Sequence, residues 1–180
     1  MKIGIVGLGF VGLSLTSVLA SKGFDVIGID IDKEKSNIIS KGISPFFEPE
    51  LEKTLKNGLK KKLEITDDFS LLKNCDLIFL TVGTPQNRDS SIDLSIIKKA
   101  TKSIGQNIGE SKKQQTILIK STVVPGTTKN VILPILEKNS NKRDGENFGL
   151  ITNPEFLQES TAIRDTKFPH AIVLGGYQTK

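Results

Sequence analysis

Residues 7–12 read Gly7-Leu8-Gly9-Phe10-Val11-Gly12, directly behind the apolar run Ile3-Gly4-Ile5-Val6 and ahead of Leu13 to Lys22, a segment of helical character. A second apolar run, Phe24 to Ile29, closes on the acidic Asp30. This arrangement requires a strand to pass through a tight turn into a helix, with a second strand ending in a carboxylate about 20 residues further on. Gly7 permits the turn, Gly9 lets main chain approach a ligand with no Cβ in the way, and Gly12 lets the helix pack closely on the strand. The helix start around Phe10 and Val11 offers unpaired N–H groups and the positive end of a dipole, a setting for a pyrophosphate. At Asp30 a carboxylate can accept hydrogen bonds from both hydroxyls of an adenosine ribose and repels a 2′-phosphate, so the expected ligand is NAD rather than NADP.

The rest of the chain alternates in the same way. Strand-like runs occur at Lys2 to Val6, Asp25 to Asp30, Leu63 to Thr66, Asp76 to Val82, Thr116 to Lys120, Phe148 to Thr152 and Ala171 to Leu174. Helical segments lie between them at Leu13 to Lys22, Lys33 to Lys41, Pro49 to Lys60, Phe69 to Asn74, Leu94 to Ile108 and Thr127 to Lys138. Such alternation implies right-handed βαβ units, hence an α/β fold with a doubly wound, mostly parallel sheet of Rossmann type in three α/β/α layers. The expectation is one domain over residues 1–180. Asp32 and Asp93 are placed as helix N-caps, and Thr127 and Thr128 as caps of the helix after them.

Composition excludes several classes. The net charge of +5 comes from lysines dispersed among acidic residues, and with aromatics at 6% and no Trp there is no aromatic-basic surface for nucleic acid. The densest cluster, Lys60-Lys61-Lys62, reads as a solvated helix end that complements the dipole. No run approaches the ~18 apolar residues of a membrane span, and the start has no signal-peptide layout, so the cytoplasm is the expected compartment. The single cysteine, Cys75, heads a buried strand and reads as a core residue rather than a nucleophile; His170 falls in a loop, and no metal site is indicated.

In an open α/β sheet the ligand lies beyond the carboxyl ends of the strands. Three loops there carry unusual chemistry: Gly83-Thr84-Pro85-Gln86, Lys120-Ser121-Thr122, and Asn153-Pro154-Glu155-Phe156-Leu157-Gln158-Glu159. Ser121 and Thr122 are candidates for cofactor or water contact. Glu155 and Glu159 stand four apart, so on a helical turn they share one face and look into the cleft. Acids that merely stabilise a helix start are the other reading.

With Ser44-Pro45-Phe46-Phe47-Glu48-Pro49-Glu50-Leu51, Val82-Gly83-Thr84-Pro85, Ser121-Thr122-Val123-Val124-Pro125-Gly126-Thr127-Thr128 and the Asn153–Glu159 segment added to the glycine run, the chain resembles the amino-terminal domain of the nucleotide-sugar 6-dehydrogenases, the UDP-glucose and GDP-mannose dehydrogenases. The resemblance spans the whole chain. It implies oxidation of a sugar C6 alcohol to a carboxylate in two NAD-dependent steps, through a cysteine-bound intermediate. It further implies that Asp30 and Lys35 hold the adenosine ribose, that Gly83, Thr84, Pro85, Ser121 and Thr122 line the nicotinamide side, and that Glu159 contacts the cofactor. Glu155 is then the catalytic carboxylate acting through an ordered water that Thr122 helps to place, with Phe156 and Leu157 beside it toward the substrate.

The family's nucleophilic cysteine and most of its sugar-nucleotide pocket have no counterpart in these residues, so the chain is expected to be a cofactor domain, inactive alone, from a homo-oligomeric parent. UDP-glucose is the expected sugar nucleotide because such enzymes are the commoner members. GDP-mannose, a β-hydroxyacid dehydrogenase domain and a non-catalytic NAD-binding module remain the alternatives.

Overall fold

Strand and helix alternate from the start: β1 (Lys2–Val6), α1 (Phe10–Ser21), β2 (Asp25–Ile29), α2 (Lys33–Ser40), α3 (Leu51–Leu59), β3 (Leu63–Thr66), β4 (Leu77–Leu80), α4 (Ser95–Gly109), β5 (Gln115–Ile119), α5 (Leu133–Ser140), β6 (Phe148–Thr152), α6 (Ala162–Lys167) and β7 (Gly175–Gly176). The computed structural model describes residues 1–176 and joins the seven strands in one sheet, ordered β3-β2-β1-β4-β5-β6-β7. All pairs are parallel except β6 with β7. The order reverses between β1 and β4, the position where open α/β sheets form a ligand crevice.

The strands read as nearly continuous apolar runs because both faces of the sheet are covered. On one face Ile27, Ile29, Ile78, Leu80, Ile117 and Ile119 pack against Ile97, Ile104 and Ile108 of α4 and Leu136 of α5. On the other, Ile3, Ile5 and Val26 meet Leu13 and Val18 of α1, Leu51 and Leu55 of α3 and Ile163 of α6. Each such side chain, taken fully out of water, contributes roughly 1.5–3 kcal/mol.

Strand register brings the loop residues together. Val6 pairs with Ile29 and Leu80, Leu80 with Ile119, and Ile119 with Thr152. Five strands therefore end in one row, and the residues immediately after them, Gly7, Asp30, Thr81, Lys120 and Asn153, are neighbours along one edge.

Several local expectations are corrected. Phe69–Asn74 is a 3₁₀ turn rather than an α-helix, opened by Asp68, which accepts from Ser70 N–H at 2.8 Å. Asp32 caps α2 through Lys35 N–H at 3.0 Å. Asp93 accepts from Ser95 N–H at 2.7 Å, but from two residues ahead of the helix, Leu94 holding the cap position. Thr127 and Thr128 are not caps: Thr127 is already helical and makes no capping bond, and both are buried. The segment Thr128–Ile132 is π-helical and runs directly into α5, where Pro134 lacks the N–H that a regular ladder needs. Ala171 to Leu174 is not a strand; among the described residues at this end only Gly175–Gly176 pairs, antiparallel to β6. Residues 177–180 lie outside the described residues. Among the described residues no helix is long and apolar enough to cross a membrane, and no group of three or more His, Cys, Asp or Glu side chains could hold a metal ion.

Candidate functional site

The glycine turn between β1 and α1 is built so that each glycine is fixed by a different contact. Gly7 has φ 97°, and a Cβ there would stand 2.9 Å from the Val82 backbone N. A Cβ on Gly12 would stand 1.8 Å from the Gly7 carbonyl oxygen. Gly9 is the opposite case, with no heavy atom of the described residues within 4 Å of where its Cβ would be, so its main chain is open to a ligand. Thr81, at the tip of β4, holds the turn from below: its hydroxyl lies 3.0 Å from the Val6 carbonyl and 2.7 Å from that of Gly7. Sequence reasoning did not find Thr81; a lone hydroxyl at the end of an apolar strand was its only signal.

Asp30 is the second half of the clasp. Its carboxylate is buried, accepting from Leu8 N–H on Oδ2 at 2.7 Å and from Asp32 N–H on Oδ1 at 3.0 Å. Lys35 Nζ stands 2.6 Å from Oδ2. The acid therefore ties the glycine turn to the end of β2. Oδ1 keeps a lone pair for an incoming hydroxyl, and the Lys35 head group is in place to move onto one.

These groups line a cleft of about 510 Å³ running from Gly7, Gly9, Asp30 and Lys35 to Gly83, with Phe69, Ile96 and Lys99 as its far wall. The start of α1 carries no side-chain cap, leaving its N–H groups and dipole facing the cleft mouth. The Phe10 ring packs on Phe46, centroids 5.6 Å apart, which ties the 44–50 loop to the start of α1. An uncapped helix start, an open Gly9 and a carboxylate with a spare acceptor together fit a dinucleotide: apolar walls for a base, hydroxyl acceptors for a ribose and N–H donors for phosphates.

Further along the row the tips of β4 and β5 are stitched together. Thr84 Oγ1 donates to the Thr122 carbonyl at 2.7 Å, and Ser121 Oγ to that of Val82 at 2.7 Å. The Ser121 proton is thus engaged, whereas Thr122 is exposed. Pro85 follows Thr84 at the surface.

The segment after β6 corrects the sequence reading. Residues 153–160 form an irregular loop, Ser160 has φ 70°, and helix begins only at Ala162. Glu155 and Glu159 therefore share no helical face. Pro154 disfavours helical geometry at Asn153, and Glu155 bends back so that its Oε1 accepts from Phe156 N–H at 2.7 Å and Leu157 N–H at 2.8 Å. Buried Glu48 holds the far end of the loop, accepting from Ser160 and Ala162 N–H at 2.9 Å each. Glu159 is exposed and lines neither this cleft nor the next. Glu155, Phe156 and Leu157 instead border a second cleft, of about 290 Å³, with Lys120, Asn153 and His170. His170 is an exposed loop residue.

Cys75 is fully buried under Gly4 and Leu72, and burial pushes its thiol up from 9.0 to about 11. It is no nucleophile near neutral pH. The native thiol is expected to resist a disulfide reagent at pH 8 and to react once the chain unfolds. Below about pH 9 the thiol is protonated in both the folded and the unfolded chain, and above it only the unfolded chain releases the proton. Stability therefore falls as pH rises toward 11, by up to roughly 3 kcal/mol, a slope that Cys75→Ala removes. Urea titrations of both proteins across that range measure it.

The chain matches the family model described as the UDP-glucose/GDP-mannose dehydrogenase family, NAD binding domain, over residues 1–180. It is 42% identical to the GDP-mannose 6-dehydrogenase of Pseudomonas aeruginosa over 177 residues, 97% of this chain and 41% of that enzyme. It is 37% identical to the UDP-glucose 6-dehydrogenase of Haloferax volcanii over 175 residues, again 97% of this chain and 41% of the relative. The ternary complex of GDP-mannose dehydrogenase from Pseudomonas aeruginosa superposes with a TM-score of 0.96 at 41% identity, covering 98% of this chain and 41% of that one. The glycine turn, its Asp30 clasp and these matches extend over the same residues, and the chain belongs to the UDP-glucose/GDP-mannose dehydrogenase family, whose NAD-binding domain it represents.

Proposed function

We propose that the chain is the cofactor half of a nucleotide-sugar 6-dehydrogenase, and that GDP-mannose is the first substrate to test. The observation that carries the reading is the row of strand tips, which sets an Asp30-clasped glycine turn and an inward-turned Glu155 on one edge of one sheet. The greater identity to the GDP-mannose enzyme, 42% against 37% for the UDP-glucose enzyme, favours GDP-mannose over the UDP-glucose expected from the sequence.

In this reading Asp30 and Lys35 receive the adenosine ribose, and the N–H groups at Phe10, Val11 and Gly12 face the pyrophosphate. Gly83, Thr84, Pro85, Ser121 and Thr122 border the nicotinamide side, and Glu159 approaches the cofactor only if its loop moves. Bound NAD supplies the hydride acceptor for each of the two oxidation steps. Glu155 takes and returns a proton at a water placed with the help of the Thr122 hydroxyl, while Phe156 and Leu157 exclude bulk water beside the substrate. The nucleophilic cysteine comes from elsewhere in the whole enzyme, since Cys75 is walled into the core.

The test is turnover by the whole enzyme that carries this domain, offered GDP-mannose, UDP-glucose and 6-phosphogluconate with NAD. Two NADH formed per GDP-mannose is the expected result, and the 180-residue chain alone is expected to give none. Turnover of the hydroxyacid with neither sugar nucleotide contradicts the proposal.

A further inference from the structure

Lys120 follows β5 directly, and its side chain is only 13% exposed, as is that of Glu155. Its Nζ lies 2.8 Å from Glu155 Oε2 and donates to Asn153 Oδ1 at 3.3 Å. Asn153 is itself immobilised, its N–H on the Ile119 carbonyl at 2.9 Å and its Nδ2 on that of Val173 at 3.0 Å. The pairing of β5 with β6 thus fixes where the ammonium sits. Glu155 Oε1 is taken by the N–H groups of its own loop, whereas Oε2 is buried and, among the described residues, makes no hydrogen bond; the ammonium is close but out of line. The cleft beside the pair is also lined by Leu15, Leu19, Phe79 and Leu118, and among the described residues the other charged or titratable groups bordering it are Asp165 and His170.

A buried ion pair contributes little net stability compared with apolar residues of the same volume, so stability alone does not explain this one. We propose that Lys120 is the positioning residue for Glu155. Its charge holds the carboxylate in one orientation, with Oε1 on the loop and the Oε2 lone pair free to take a proton. The inference rests on the reading of Glu155 as the proton-handling group and adds the residue that orients it. The requirement is for a cation at this point rather than for a lysine, so Lys120→Arg keeps the function and Lys120→Met loses it.

The Phe156 and Leu157 amides report the carboxylate directly, which permits a test in the 180-residue chain without any substrate. In K120M their NMR signals are expected to move as they do in E155Q, while those of Leu8 and Gly12 at the glycine turn stay in place; in K120R all return to wild-type positions. Should K120M not fold, K120Q carries the same comparison. In the whole enzyme K120M is expected to lower kcat about tenfold or more with the KM for NAD unchanged, and K120R to restore it. Amide signals unmoved in K120M, or an undiminished kcat, overturn the proposal. An inactive wild-type enzyme instead overturns the sugar-nucleotide reading, and the amide signals still decide whether Lys120 orients Glu155.

Discussion

Replacing Gly12 with alanine is expected to cost the chain about 3 kcal/mol or more of stability and its dinucleotide binding with it. The added methyl would stand 1.8 Å from the Gly7 carbonyl oxygen and 2.6 Å from Thr81 Oγ1. The first is backbone, in a turn held at φ 97°, and the second is the hydroxyl that clamps that turn. No flexible side chain is available to give way, so α1 must lift off β1. Gly9→Ala is the matched control. Nothing lies within 4 Å of its new methyl, so the variant is expected to keep wild-type stability within about 0.5 kcal/mol and yet bind NAD poorly, because the methyl occupies space reserved for the pyrophosphate. Urea unfolding and calorimetric titration of both variants separate packing from binding. A Gly12→Ala protein as stable as wild type would contradict the close packing of α1 on the turn, and a Gly9→Ala protein with unchanged NAD affinity would contradict the close approach of the pyrophosphate.

Asp30→Ala carries the other large effect. The carboxylate serves the Leu8 N–H, the Asp32 N–H and the Lys35 ammonium at once. Leu8 is fully buried, so its N–H would be left without a partner, at a cost of about 1–3 kcal/mol in stability. NAD binding is expected to weaken by a further 1–3 kcal/mol or so, from lost hydrogen bonds between a charged acceptor and the ribose. In the proposed binding mode the change also removes the negative charge that would repel a 2′-phosphate and frees the Lys35 ammonium, which stands 2.6 Å from Asp30 Oδ2 in the wild type. The NAD-to-NADP affinity ratio is therefore expected to fall toward one. A variant that keeps the wild-type preference would show that Asp30 does not face the ribose.

What the sequence made legible is what local chemistry controls. The glycine spacing and the apolar runs act over a few residues, and together with the acid at Asp30, which follows the second run at a set spacing, they specified the three-layer sheet and one end of the site. The parts that escaped depend on contacts between distant segments. Glu48 meets Ser160 across 112 residues, and Thr81 meets Gly7 across 74. Lys120 meets Asn153 and Glu155 only because β5 and β6 pair in a given register. The helical reading of Glu155 and Glu159 failed for a related reason: spacing of four allows a shared face, but Pro154 and the bonds Glu155 makes to its own loop favour a bend. At the chain's far end, Ile172, Val173 and Leu174 look like a strand by composition yet stay exposed and outside the sheet, because strand pairing begins only at Gly175.

The chain is an NAD-binding domain, and Asp30 is proposed to close its cofactor cleft. Calorimetric titration of the folded 180-residue chain with NAD and with NADP tests it most directly. The structure predicts saturable binding of NAD at one site per chain, with NADP weaker by about tenfold or more, the effect of a buried carboxylate facing an added phosphate. A folded sample that binds neither, or that prefers NADP, would contradict it.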